Sequence, residues 1–142
     1  MILRQAQDER RLRQAQDERV RFAGYAAVFD AVDRGGDVVR RGAFRVAGKV
    51  PLLWQHAGAP VGEIEWLGED SRGLRVIGRV EDAKLAGLVR AGAVNGLSFG
   101  YRVREARRGR VREIRQLELM EVSLVTSPMQ PLARVHATAR AP

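Results

Sequence analysis

Between residue 20 and Pro128 the chain falls into short apolar runs that alternate with period two, cut by glycine and proline, and only one stretch changes to helical spacing. Alternation of that kind sends successive side chains to opposite faces of a strand, so most of this chain must be sheet. Residues 20–29 read as a strand interrupted at Gly24. Residues 52–56 read as a buried strand ending at His56, with Ala57-Gly58-Ala59-Pro60 as the turn that follows. Residues 61–67 and 74–80 predict a hairpin around Glu69-Asp70-Ser71-Arg72-Gly73. Strand character returns over 97–103 and 111–125 and stops at Ser127-Pro128, because proline has no N–H to give a ladder. The exception is 83–91, which Glu81-Asp82 can cap and in which Leu85, Leu88 and Val89 fall at helical spacing. Residues 42–48 read as a short helix or turn. The pattern predicts a mainly β domain with flanking helices (α+β), a small antiparallel β-barrel.

A chain of 142 residues suits one domain able to bury a core without covalent staples. It has no cysteine, which excludes disulfides, thiolate zinc sites and a cysteine nucleophile. Its two histidines, His56 and His136, are too far apart in sequence to form a metal-binding helix motif, and no metal or organic cofactor is expected. Asp30, Asp33 and Asp37 lie among Gly35 and Gly36 in a loop that lacks the glutamate closing a calcium loop, so a structural turn is expected there. No apolar run approaches the roughly 20 residues that span a bilayer, and the N-terminus is too charged for a signal peptide. The expectation is a soluble cytoplasmic protein without a membrane partner.

The chain opens on a duplication: Leu3 through Arg10 returns residue for residue as Leu12 through Arg19. A nine-residue period fits no coiled coil, and the segment has little apolar face to bury. Residues 1–19 are therefore expected to be a mobile appendage, 20–135 the domain, and 136–142 a flexible C-terminal tail. The formal net charge is +8, and residues 102–115 hold seven arginines against Glu105 and Glu113. That segment, centred on Arg108-Gly109, reads as a hairpin tip. Its charge is either incidental or a contact surface for an acidic partner, with nucleic acid the less favoured ligand.

Of four serines, Ser98 stands out, because alternation puts Leu97, Phe99, Tyr101 and Val103 on one face and Ser98 with Gly100 on the other. A small hydroxyl beside glycine leaves room for a substrate backbone, although an ordinary small residue on a half-buried face would look the same. Glu121 interrupts the apolar face formed by Leu117, Leu119, Ser123 and Val125. A carboxylate there needs a partner. The His56 imidazole is one candidate, and any of the many arginines is another.

Five blocks carry a family resemblance: Phe22-Ala23-Gly24-Tyr25-Ala26-Ala27-Val28-Phe29, Gly36-Asp37-Val38-Val39-Arg40-Arg41-Gly42-Ala43-Phe44, Leu52-Leu53-Trp54-Gln55-His56, Gly96-Leu97-Ser98-Phe99-Gly100-Tyr101 and Glu121-Val122-Ser123-Leu124-Val125-Thr126-Ser127-Pro128. In this order they resemble the prohead maturation serine proteases of tailed bacteriophages and gene transfer agents, which are similar in turn to the herpesvirus capsid assembly proteases. The resemblance implies the herpesvirus type of β-barrel, with Ser98 as nucleophile, His56 as general base and Glu121 as the third member of the triad. It leaves the oxyanion donors unassigned, since the first arginine after Pro128-Met129-Gln130-Pro131 is Arg134.

The implied activity is a serine endopeptidase that cleaves scaffold protein, or the scaffold-like segment of the major capsid protein, during procapsid maturation. Self-cleavage and a homodimer come with the resemblance as questions to test. The implied location is the bacterial host cytoplasm, inside the assembling procapsid. The alternatives are a non-catalytic capsid or nucleic-acid binding module on the same fold, and a relative whose triad is inactive.

Overall fold

The computed structural model describes residues 2–17 and 19–141. The elements run α1 (Ile2–Asp17), β1 (Val20–Val28), β2 (Asp37–Val39), β3 (Phe44–Arg45), β4 (Leu52–Trp54), β5 (Ala57–Glu69), β6 (Gly73–Val80), α2 (Ala83–Arg90), β7 (Gly96–Arg108), β8 (Arg112–Val125) and β9 (Val135–Arg140). All nine strands belong to one sheet, in the order β2-β8-β4-β5-β6-β1-β9, with β3 and β7 also pairing β8.

The long strand β8 organises the molecule. Along one edge it meets β2, β3 and β4 in succession, all parallel, and along the other it pairs β7 antiparallel. Left-handed glycines, Gly42 (φ 82°) and Gly48 (φ 73°), lie on the links between these three short strands. Such a backbone is open to glycine at no steric penalty. The sheet is thus mixed, and it is not closed into the antiparallel barrel that the sequence pattern predicts. Closure would need a ladder between β7 and the β1–β9 side. Instead residues 126–134, which carry Pro128 and Pro131, cross the gap and touch β7 through one isolated bridge, Gly96 to Arg134. Proline removes ladder donors, so this stretch turns where a strand would have to run.

The core joins both halves of the sheet, with Phe22, Leu52, Leu74, Leu97, Leu117 and Leu124 at most 1% exposed. Helix α2 begins where expected, its N-cap Asp82 accepting from the Leu85 backbone N–H at 2.9 Å. Leu85 and Val89 are buried, whereas Leu88, also expected on that face, is exposed. Helix α1 takes in the duplicated segment as far as Asp17, and residues 3–10 are exposed all round. Of the residues expected to form the tail, 136–140 lie in β9, which pairs β1 from Val20–Arg140 onward, and His136 packs edge-on to Tyr25. Among the described residues no helix is long and apolar enough to cross a membrane.

Candidate active site

Strands β7 and β8 place Ser98 opposite Ser123 and Gly100 opposite Glu121. The register slips just beyond this point, leaving Met120 unpaired as a bulge next to Glu121. Bulges re-aim nearby side chains. On the other edge of β8, β4 runs parallel with Leu53 beside Ser123, so the end of β4 delivers the following residues over this patch.

Those residues are Gln55 and His56. The pairing of Trp54 with Ala57 makes them the two central residues of the tight β4–β5 turn, and both have positive φ, 52° and 61°. Two-residue hairpin turns with two left-handed residues favour Asn-Gly, because a β-carbon in that region costs about 1–2 kcal/mol. Here the conformation is held by polar bonds. The Gln55 backbone N–H donates to Leu124 O at 3.0 Å, the Gln55 side-chain oxygen accepts from the Thr126 N–H at 2.9 Å, and the His56 N–H donates to Ser123 Oγ at 3.1 Å. The turn expected at 57–60 therefore lies two residues earlier, and Ala57 through Pro60 open β5. Pro60 is tolerated because pairing of β5 with β6 begins only at Gly62. The dipeptide Gln-His carries no turn signal, which is why alternation alone misplaced it.

The turn directs the imidazole onto Glu121. His56 Nδ1 is hydrogen-bonded to Glu121 Oε1, and Ser123 Oγ donates to Glu121 Oε2 at 2.6 Å. The Glu121 side chain is 12% exposed and that of His56 43%. A carboxylate can only accept, so an ionised Glu121 requires the proton on Nδ1, and in the neutral ring Nε2 is then a free base. Gly100 makes the room: a β-carbon there would lie 2.5 Å from Glu121 Oε1. Among the described residues the partners of Glu121 are thus His56 and Ser123, and not an arginine.

Ser98, 9% exposed, borders two cavities, and His56 borders both with it. The smaller, about 150 Å³, is walled by Ala26, Asp37, Phe99 and Tyr101 among others. The larger, about 320 Å³, adds Arg34, Gln55 and Thr126. Among the described residues no direct hydrogen bond joins Ser98 to His56; shared cavity walls bring them together. Catalytic hydrogen bonds are often long in sites without substrate.

Around the cavities the charged groups are committed. Asp33 Oδ1 accepts from the Gly35 and Asp37 backbone N–H groups, and Asp30 pairs with Arg40, so the aspartate loop is a self-bonded turn. The Arg112 guanidinium donates to both oxygens of Asp37 and holds its carboxyl below the usual range, while burial and the neighbouring Asp37 push the Tyr101 phenol up. Arg134 is tied to Pro131 O and Asn95 Oδ1 and borders neither cavity. The arginine that does is Arg34, whose Nη1 donates to Ser127 Oγ at 2.7 Å. It lies in the Asp/Gly loop, where nothing in the sequence separates it from its neighbours.

In the β7–β8 hairpin, Arg104 pairs with Glu118, Arg112 with Asp37 and Arg115 with Glu113. Arg102, Arg107, Arg108 and Arg110 have no ion pair among the described residues. A cavity of about 360 Å³ beside the tip is walled by Arg108 and Arg110 and shares Gly35 and Asp37 with the small cavity beside Ser98.

The fold of this mixed sheet is similar to that of a herpesvirus protease. The KSHV protease, solved in complex with a hexapeptide phosphonate inhibitor, superposes with a TM-score of 0.56 at 14% identity, covering 87% of this chain and 66% of that one. The varicella-zoster virus protease gives 0.42 at 19% identity, covering 73% and 63%. Residues 7–141 match the family described as the caudovirus prohead serine protease, and the chain belongs to that family. It is 36% identical over 94 residues to the prohead protease of Enterobacteria phage HK97, an alignment covering 58% of this chain and 42% of that protein. The chain thus spans less than half the length of that relative.

Proposed function

We propose that the protein is a serine endopeptidase of procapsid maturation, acting through Ser98, His56 and Glu121. Ser98 Oγ attacks the peptide carbonyl while His56 Nε2 takes its proton. The same proton passes to the leaving amine as the acyl-enzyme forms, and water, activated by His56 in turn, releases the acid. Glu121 fixes the tautomer and stabilises the imidazolium formed in each step. In this reading Arg34, not Arg134, brings positive charge to the cleft in which the tetrahedral oxygen becomes negative. The observation that carries the proposal is the His56–Glu121 bond beside cavities that His56 shares with Ser98.

The substrate we assign is scaffold protein, or the scaffold-like segment of the major capsid protein, inside the procapsid in the host cytoplasm. Family membership and the HK97 relative support it. The protease itself and a second copy are further partners to test. A peptide phosphonate is expected to label Ser98 in the parent and to fail after His56→Ala. Labelling at another serine, or undiminished labelling without His56, would sink the assignment.

The unpaired arginines of the β7–β8 hairpin fit an acidic substrate segment running on from the cleft. Replacing Arg107, Arg108 and Arg110 together with Gln is expected to raise KM for a long acidic substrate several-fold at low salt and to flatten its salt dependence, since exposed charges act through a screened field. An unchanged salt profile would show that the charge is incidental. Tight, salt-sensitive duplex binding by a chain that cleaves nothing would favour the binding-module alternative.

A further inference from the structure

Ser123 is one of four serines, and the geometry gives it work quite unlike that of Ser98. It is fully buried on β8, borders neither cavity beside Ser98, and is therefore closed to a substrate carbonyl. Its hydroxyl has one proton to give and lone pairs to receive. The proton goes to Glu121 Oε2 at 2.6 Å, and a lone pair receives the His56 backbone N–H at 3.1 Å. One side chain thus touches both the carboxylate and the left-handed turn that carries the imidazole.

We infer that Ser123 is a positioning residue that locks the Glu121 carboxylate and the His56 turn into one unit. The inference rests on reading Ser98, His56 and Glu121 as the reacting set. Glu121 has two oxygens in a mostly buried place, and His56 takes only one of them. Without a donor on the other, the carboxylate keeps an unpaired oxygen and is free to rotate away from Nδ1. The His56 N–H would lose its acceptor in the same step, and with it one of the bonds that hold φ at 61°. Both losses act on the orientation of the base and leave the substrate cavities untouched.

The test measures steady-state cleavage of a scaffold-derived peptide by Ser98→Ala, Ser123→Ala, Ser123→Cys and Ser123→Thr, with thermal melts and the imidazole N–H proton resonance of each. Cysteine is nearly isosteric and a weak donor, so it keeps the test open where alanine fails to fold. The expected result is a kcat lowered about 10- to 100-fold in whichever of Ser123→Ala and Ser123→Cys folds, the range for losing a bond to a charged group. KM should be unchanged, the imidazole resonance shifted, and turnover largely kept in Ser123→Thr. A folded variant within about threefold of the parent kcat, or a loss confined to KM, overturns the inference. Cleavage surviving in Ser98→Ala overturns the reading of the site itself, a separate outcome.

Discussion

Ser98→Ala and His56→Ala are each expected to remove cleavage almost entirely, by roughly 10⁶-fold in kcat, while circular dichroism and the melting curve stay near those of the parent. Neither side chain carries the core: Ser98 sits among cavity walls, and the His56 side chain is 43% exposed. The informative member is Glu121. Glu121→Gln keeps the shape and can still accept one hydrogen bond from Nδ1, but it cannot stabilise an imidazolium by charge. The amide can also turn its NH₂ toward the ring and favour the wrong tautomer. The comparable change in a Ser-His-Asp triad lowers turnover roughly 10⁴-fold, and here the loss is expected between about 10² and 10⁴. Kinetics of the three purified variants on one peptide provide the measurement. A Glu121→Gln enzyme as fast as the parent, beside an inactive Ser98→Ala, would mean that another group orients His56.

The residues brought together at this site were legible in the sequence as side chains that break a pattern, while the roles proposed for them came only with the family resemblance. Glu121 interrupts an apolar face, and Ser98 and Gly100 share the sparse face of a strand; the structure sets Glu121 directly opposite Gly100. His56 was legible as a strand-ending polar residue, but its turn was not, because two left-handed residues without glycine or asparagine are stabilised only by tertiary bonds from Ser123, Leu124 and Thr126. The parallel pairing of β2, β3 and β4 with β8 was hidden for a similar reason. Runs of two or three residues have no period to read, and their direction is set by the strand that receives them. The open sheet depends on what residues 126–134 do across the gap to β7, a long-range outcome that alternation within strands does not encode.

Gly100 offers the sharpest separation of activity from stability. A β-carbon at Gly100 would stand 2.5 Å from Glu121 Oε1 and 3.0 Å from its Cδ and Cγ, all atoms of one side chain. At Gly24 the nearest obstacle is backbone instead, Arg134 O at 2.3 Å, so a methyl group there must push strands apart. In Gly100→Ala the group nearest the new methyl, and the first that has to yield, is the Glu121 side chain. Moving it by even 1 Å takes it off Nδ1, and a misplacement of that size is worth about 10²-fold in rate. The expected result is a kcat lowered about 10²-fold or more with a melting temperature within a few degrees of the parent, since alanine also limits the unfolded chain more than glycine does. The double variant with Glu121→Gln decides the cause. Two changes acting through one group do not add, so Gly100→Ala should lower the rate of Glu121→Gln by less than about threefold. Full multiplication of the two losses would show that glycine at this position serves the approach of substrate to Ser98 and not the placement of Glu121.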